Sequence, residues 1–194
     1  MTNPPVSSTT THVDEAIVGY VPDGDREAAL RDLIVDFIAA DPAMVGRADG
    51  YAHVTASAYV MNSESGAVLL HEHRRIGKWL PFGGHADPGE HDPAITALRE
   101  GLEESGLATL EPSQKAGPRL IDLDVHVIPT TTKARAHIHL DFRYLFTTTI
   151  SHVPQTAVGE SDVLRWWHRT DDMTALDENV RRCLRKIWTT PLNS

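Results

Sequence analysis

One stretch constrains this chain more than any other: residues 83–107, GGHADPGEHDPAITALREGLEESGL. Its second half reads as a helix with both ends marked. Asp92 and Pro93 supply an N-cap acid and a proline at the first helical position. Gly106 suits a left-handed stop, after which Leu107 is expected to fold back onto Leu102. Ile95, Leu98 and Leu102 recur at helical spacing and predict the buried stripe.

The acids fall elsewhere on that helix. Glu100, Glu103 and Glu104 stand at i, i+3 and i+4, so their carboxylates converge on one face. Like charges at this spacing repel by roughly 0.2–0.5 kcal/mol per pair. Arg99 has an i+4 partner in Glu103 and offsets part of this repulsion. A hard divalent cation such as Mg²⁺ or Mn²⁺, which prefers oxygen ligands, offsets the rest. Most glutamate clusters are simply solvated helix faces. The glycine-rich loop entering this helix favours the metal reading.

With its loop, the helix resembles the signature box of the Nudix hydrolases, G-x5-E-x7-R-E-U-x-E-E-x-G-U, with U a bulky aliphatic residue. Gly84, Glu90, Arg99-Glu100, Glu103-Glu104, Gly106 and Leu107 match. Two positions depart. Eight residues rather than seven separate Glu90 from Arg99, and Gly101 stands at the first U position. The extra residue is placed in the loop ahead of the helix, where it bears on the pairing of Glu90 with Arg99. Gly101 costs the helix roughly 1 kcal/mol relative to alanine and is read as allowing the preceding loop to approach. The chain also resembles a bacterial subgroup of that family through Thr55-Ala56-Ser57-Ala58, residues 73–79, Gly83-Gly84-His85 and His137-Ile138-His139-Leu140-Asp141. The subgroup pattern names no substrate.

The 194 residues suffice for one α/β domain with extensions. Residues 1–12 are rich in Ser, Thr and Pro and are expected to be disordered. Residues 13–50 form a helical extension around an amphipathic helix, Asp25 to Ala40, that packs on the module or serves a homodimer. Residues 51–190 carry the Nudix-like module. Strands are expected over 51–61, 66–73, 119–128, 135–147 and 160–168, with a last helix from Asp171-Asp172 to Trp188. The resemblance implies an α/β/α sandwich around a mixed sheet.

The net charge of −9, from 27 acids against 18 bases, disfavours broad nucleic-acid binding. It leaves room for a phosphate-bearing small molecule, because a bound metal reverses the local sign. Cys183 is the single cysteine, which excludes an internal disulfide and fits a reducing, cytoplasmic setting. No apolar run is long enough to span a membrane.

The resemblance implies metal-dependent cleavage of a pyrophosphate link in a nucleoside diphosphate joined to another group. Glu100, Glu103, Glu104 and the Gly83 carbonyl are the expected Mg²⁺ or Mn²⁺ ligands. Arg99 is expected to orient the carboxylates, with Glu90 behind it. The general base is Glu104 or, on a distant loop, Glu160; Asp141 and Asp162 are weaker choices. Arg74, Arg75, Lys78 and His85 are candidate phosphate or substrate contacts, against the plainer reading of a polar turn. Eleven histidines are the chain's individual feature. His137 and His139 share one strand face with Asp141. That makes them candidates for additional metal or substrate binding, although a lone histidine usually has a simpler role.

Two other readings compete. A Nudix-fold sensor would bind nucleotide without turnover, but such domains commonly lose box acids, which are present here. Isopentenyl-diphosphate isomerase shares the fold and needs a core catalytic cysteine, whereas Cys183 lies on the expected terminal helix.

Overall fold

Alternation along residues 52–62 sets the layers. Val54, Ala56, Ala58 and Val60 join one apolar cluster, while Tyr59 and Met61 join another. A strand places successive side chains on opposite faces, so a sheet with two apolar faces needs a cover on each. The computed structural model, which describes residues 8–45, 50–74, 76–132, 135–152 and 163–190, shows this arrangement.

The strands are β1 (Ala52–Asn62), β2 (Val68–His73), β3 (Lys78–Leu80), β4 (Phe82–His85), β5 (Glu111–Pro112), β6 (Arg119–Ile128), β7 (His137–Thr148) and β8 (Leu164–Trp167). They form one mixed sheet. β1 and β7 run parallel at its centre, β4 and β2 pair antiparallel with β1, and β6 pairs antiparallel with β7. Helices α1 (Ser8–Gly19), α2 (Asp25–Ala40) and α3 (Pro93–Ser105) contribute to the cluster on one face. Helix α4 (Glu178–Thr189) covers the other through Val180, Cys183, Leu184 and Ile187.

The N-terminal region departs from expectation. Ser8 to His12, expected to be disordered, lie in α1. Its Val13 and Ile17, with Ile34 and Ile38 of α2, are buried in the same cluster as Ala56, Ala58 and Phe142. Burial of these residues accounts for an ordered helix where the flanking Ser/Thr composition argues for none. The extension is also tied to α4. Buried Glu27 accepts from Lys186 Nζ at 2.6 Å and from Tyr20 Oη at 2.5 Å.

Helix α4 starts at Glu178 rather than beside Asp171-Asp172. Those aspartates instead close turns, accepting from the His168 and Thr174 amides at 3.2 and 2.9 Å. Glu160 and Asp162 lie outside the described residues, as does Arg75. Among the described residues, no helix is long and apolar enough to cross a membrane.

A candidate active site around the box helix

Helix α3 begins and ends as its sequence dictates. The Asp92 carboxylate accepts from the Ala94 amide at 2.8 Å with Pro93 in the first turn, and Gly106 adopts φ 68°. Its buried face differs from the expected stripe. Ile95 is exposed, and Leu98 and Leu102 are only partly buried. Pro93, Thr96, Ala97, Gly101 and Ser105 are the buried positions. A Cβ at Gly101 would stand 2.9 Å from Leu110 Cδ1 and 3.0 Å from Ala58 Cβ. It is therefore β1 and the chain after α3, not the loop before it, that come close there. Small residues let the acidic helix lie directly on the central strand.

Arg99 organises the box. Nε donates to Glu90 at 3.0 Å, and Nη1 donates to both Glu100 at 2.9 Å and Glu103 at 3.1 Å. Nη2 donates to the His85 carbonyl at 2.8 Å. The pairing of Glu90 with Arg99 therefore survives the additional loop residue. Arg99 also reaches Glu100, beyond its expected i+4 partner. Glu90 is fixed further by Thr96 Oγ1 at 2.9 Å and by the Asp87 amide at 2.9 Å. Burial opposes its charge, yet these donors, Arg99 first, hold its carboxyl below the usual range.

Strand β4 supplies the opposite wall. The Gly83 amide donates to Glu104 at 3.0 Å. A side chain at Gly84 would collide with the Glu100 carboxylate, and one at Gly83 with Ser57. Gly84 thus allows the β4 backbone to approach the acids, and Gly83 allows β4 to lie close on β1. Burial raises the Glu100 pKa, and the nearby Glu103 and Asp87 charges act in the same direction against Arg99. Another cation beside Glu100 would offset these unfavourable effects.

A second constellation lies on the sheet face reached by the odd-numbered residues of β1 and β7. Among the described residues, His53, His85, His137 and His139 offer ring nitrogens all within 4.8 Å of one another. Burial lowers the pKa of His139 to about 3 and that of His85 below its ordinary value. Asp141, expected with His137 and His139, is engaged elsewhere. It accepts from Thr55 Oγ1 at 3.2 Å, Ser57 Oγ at 3.0 Å and Arg143 Nε at 2.8 Å. His53 and His85 stand with the β7 pair instead. His53 was legible only as one polar position in an alternating strand.

The described basic candidates sit on the β2–β3 hairpin. Lys78 donates to Asp177 Oδ2 at 2.8 Å at the start of α4. Arg74 lies in the β2–β3 turn. Cys183 is fully buried on α4, and burial pushes its thiol up to about 11, which suits no nucleophile.

The NUDIX domain model matches residues 52–187. The chain belongs to the NUDIX family. It is a Nudix pyrophosphohydrolase by that membership, with α1 and α2 preceding the matched region. A crystal structure of a NUDIX-family hydrolase from Clostridium perfringens is 30% identical, covering 71% of this chain and 97% of its own, with a TM-score of 0.51. At the level of fold alone, the E. coli dihydroneopterin triphosphate pyrophosphohydrolase superposes with a TM-score of 0.53 at 13% identity, covering 71% of this chain and 96% of its own. A C. elegans Ap4A hydrolase binary complex does so with a TM-score of 0.50 at 19% identity, covering 70% and 95%. No curated protein matches the chain.

Proposed function

We propose that this Nudix enzyme hydrolyses the pyrophosphate link of a nucleoside diphosphate joined to another moiety, with Mg²⁺ or Mn²⁺ held by Glu100, Glu103, Glu104 and the Gly83 carbonyl. The observation that carries the reading is the convergence on Arg99. One guanidinium nitrogen gathers Glu100 and Glu103, and the next turn delivers Glu104 to the Gly83 amide. The donors are all oxygen, the set a hard divalent ion prefers, so the residues fit the cation.

Pyrophosphate hydrolysis asks for positioning and charge neutralisation more than for a protein nucleophile. A bound cation supplies neutralisation of phosphate oxygens and a water of lowered pKa. The chain's residues do the rest. Arg99, braced by Glu90, sets the directions of Glu100 and Glu103. Glu104 takes the proton of the attacking water at its carboxylate as the oxygen bonds to phosphorus and the bridging P–O bond breaks. Glu160 is the alternative base. Arg74 and Arg75 are proposed to meet substrate, the His85 ring standing instead with the other histidines; Lys78, paired with Asp177, would have to leave that partner to join them.

A phosphate-release screen over nucleotide sugars, dinucleoside polyphosphates, ADP-ribose, NADH and nucleoside triphosphates, with Mg²⁺ and Mn²⁺, tests this. Turnover of at least one nucleoside diphosphate derivative, reduced roughly 10²–10⁴-fold in Glu104→Gln, is expected. Tight nucleotide binding without release from any substrate would replace the hydrolase by a sensor.

A further inference from the structure

Three strands bring four imidazoles together. In the parallel pairing of β1 with β7, His53 stands opposite His139. In the antiparallel pairing of β1 with β4, His85 stands opposite Thr55, one same-face position along from His53. His137 precedes His139 on the same face of β7. The His53 ring centroid lies 4.8 Å from that of His85, 5.0 Å from His137 and 4.8 Å from His139. His53 is buried and the other three are half-buried, so the group is open to an ion from one side.

A backbone contact orients the His137 ring. The His137 Nδ1 lies 2.8 Å from the Arg135 carbonyl, which fixes the tautomer that protonates Nδ1. Its Nε2 lone pair then points to His139 Nε2, 3.1 Å away. A hydrogen bond from one ring nitrogen that frees the other is the usual support of a metal-ligating histidine. The ring of His126 lies edge-to-face with His139 at 5.3 Å, with Nδ1 3.4 Å from Asp124. The same-face carboxylate, Asp141, is held by Thr55, Ser57 and Arg143.

We propose that His53, His85, His137 and His139 form a second metal site that binds one Zn²⁺-class cation through imidazole nitrogens alone, separate from the carboxylate site of the box. All-nitrogen donors select Zn²⁺, Co²⁺ or Ni²⁺ over Mg²⁺. Tetrahedral Zn–N bonds of about 2.0–2.1 Å put ligand nitrogens roughly 3.3–3.4 Å apart, so nitrogens already within 4.8 Å of one another must close by at most about 1.5 Å. The two sites lie against one strand. The His85 ring belongs to the histidine site, its carbonyl accepts from Arg99, and the neighbouring Gly84 lies against Glu100. A cation on the histidines would therefore pin β4 to β1 and β7 and hold the glycine pair against α3.

The test uses the untagged full chain, stripped of metal and titrated with Zn²⁺ or Co²⁺ alone. The first, tightest equivalent is expected to give a four-coordinate Co²⁺ absorption spectrum and, for zinc, X-ray absorption showing nitrogen neighbours with imidazole outer-shell scattering. His137→Ala with His139→Ala should weaken binding by at least about 100-fold. Glu103→Gln should leave binding and spectrum as in the parent, whatever its effect on turnover, which keeps this site separable from the proposed hydrolytic one. Because the spectra are read on the unaltered chain, a variant that does not fold leaves the question answerable. No binding at micromolar metal, an oxygen-dominated spectrum, or loss in Glu103→Gln would overturn the site.

Discussion

Arg99 Nε lies 3.0 Å from Glu90 Oε1, joining the loop before the box helix to the helix itself across nine positions. The same guanidinium reaches Glu100, Glu103 and the His85 carbonyl, so loop, helix and β4 share one cation. Both partners are largely shielded, at 21% and 16% side-chain exposure, so solvent does not simply replace the contact.

Glu90→Gln keeps the shape and removes the charge. Arg99 would keep one neutral acceptor in place of a bidentate carboxylate, the amide nitrogen being a donor. A loss of about 1–2 kcal/mol in denaturant unfolding is expected. Turnover should fall as well, because the carboxylates that Arg99 directs lose their reference. An unfolding midpoint and turnover equal to the parent's would show that Thr96 and the helix hold the loop without the ion pair.

Arg143 is buried among Asp141, Asp122 and Asp124, at 2.8, 3.1 and 2.9 Å. Its removal would leave carboxylates in the interior with less than their present compensation, from Arg182 and Lys186 at Asp122 (2.6 and 3.6 Å) and from Arg26 at Asp124 (3.5 Å). Arg143→Met should cost about 3–5 kcal/mol. Changing Arg143 and Asp141 together to apolar residues should recover part of that loss, and a double variant no more stable than the single one would show that the network is not coupled.

Much of this was legible in the residues, and the misses have physical causes. Asp92, Pro93 and Gly106 marked the helix because caps are local chemistry. His137, His139 and Asp141 shared a face because strand alternation is local too. The small face of α3 was missed because periodicity tracks large side chains, whereas contact with β1 selects Ala97 and Gly101 for what they lack. In the sequence Asp122 and Asp124 are only polar positions of an alternating strand. They are buried because α4 and Arg143 cover them, which no local pattern records. The histidine group was half seen, since His53 and His85 join it only through pairings between distant strands.

The N-terminal helices are part of the core rather than an appendage, and a single side chain tests it. Ile34 on α2 is fully buried in the cluster that contains Ala56 and Phe142. Ile34→Ala should destabilise global unfolding by about 2–5 kcal/mol. If α2 were an independent extension, a separate early transition would appear and the main one would stay where it was.

His71 on β2 is buried, and burial lowers its pKa from 6.5 to about 4, with the neighbouring His73 charge acting the same way. The unfolded chain therefore binds the proton first as pH falls. Stability from this residue is full above pH 6.5 and drains away as pH drops towards 4. His71→Leu should reduce the slope of unfolding free energy across that window by up to about 1.4 kcal/mol per pH unit. His85 and His139 shift in the same direction, so the slope should diminish rather than vanish. An unchanged slope would mean that His71 titrates normally.

The proposed carboxylate site makes a prediction that needs no substrate. Burial disfavours the charge on Glu100, with Glu103 and Asp87 adding to it, and Arg99 opposes them only in part. Any cation that binds the folded arrangement and not the unfolded chain stabilises the fold by mass action. At about 100 times its dissociation constant, Mg²⁺ or Mn²⁺ should add roughly 2.7 kcal/mol. Thermal unfolding of the chelator-treated chain, with and without added Mg²⁺, reads this directly. Glu100→Gln should abolish the increment while raising the metal-free midpoint, because it removes a charge that burial disfavours. Were the increment to persist in Glu100→Gln, and in Glu103→Gln as well, the ion would be binding somewhere other than this helix. A metal-free midpoint that fell in Glu100→Gln would mean that the bond from Arg99 outweighs burial.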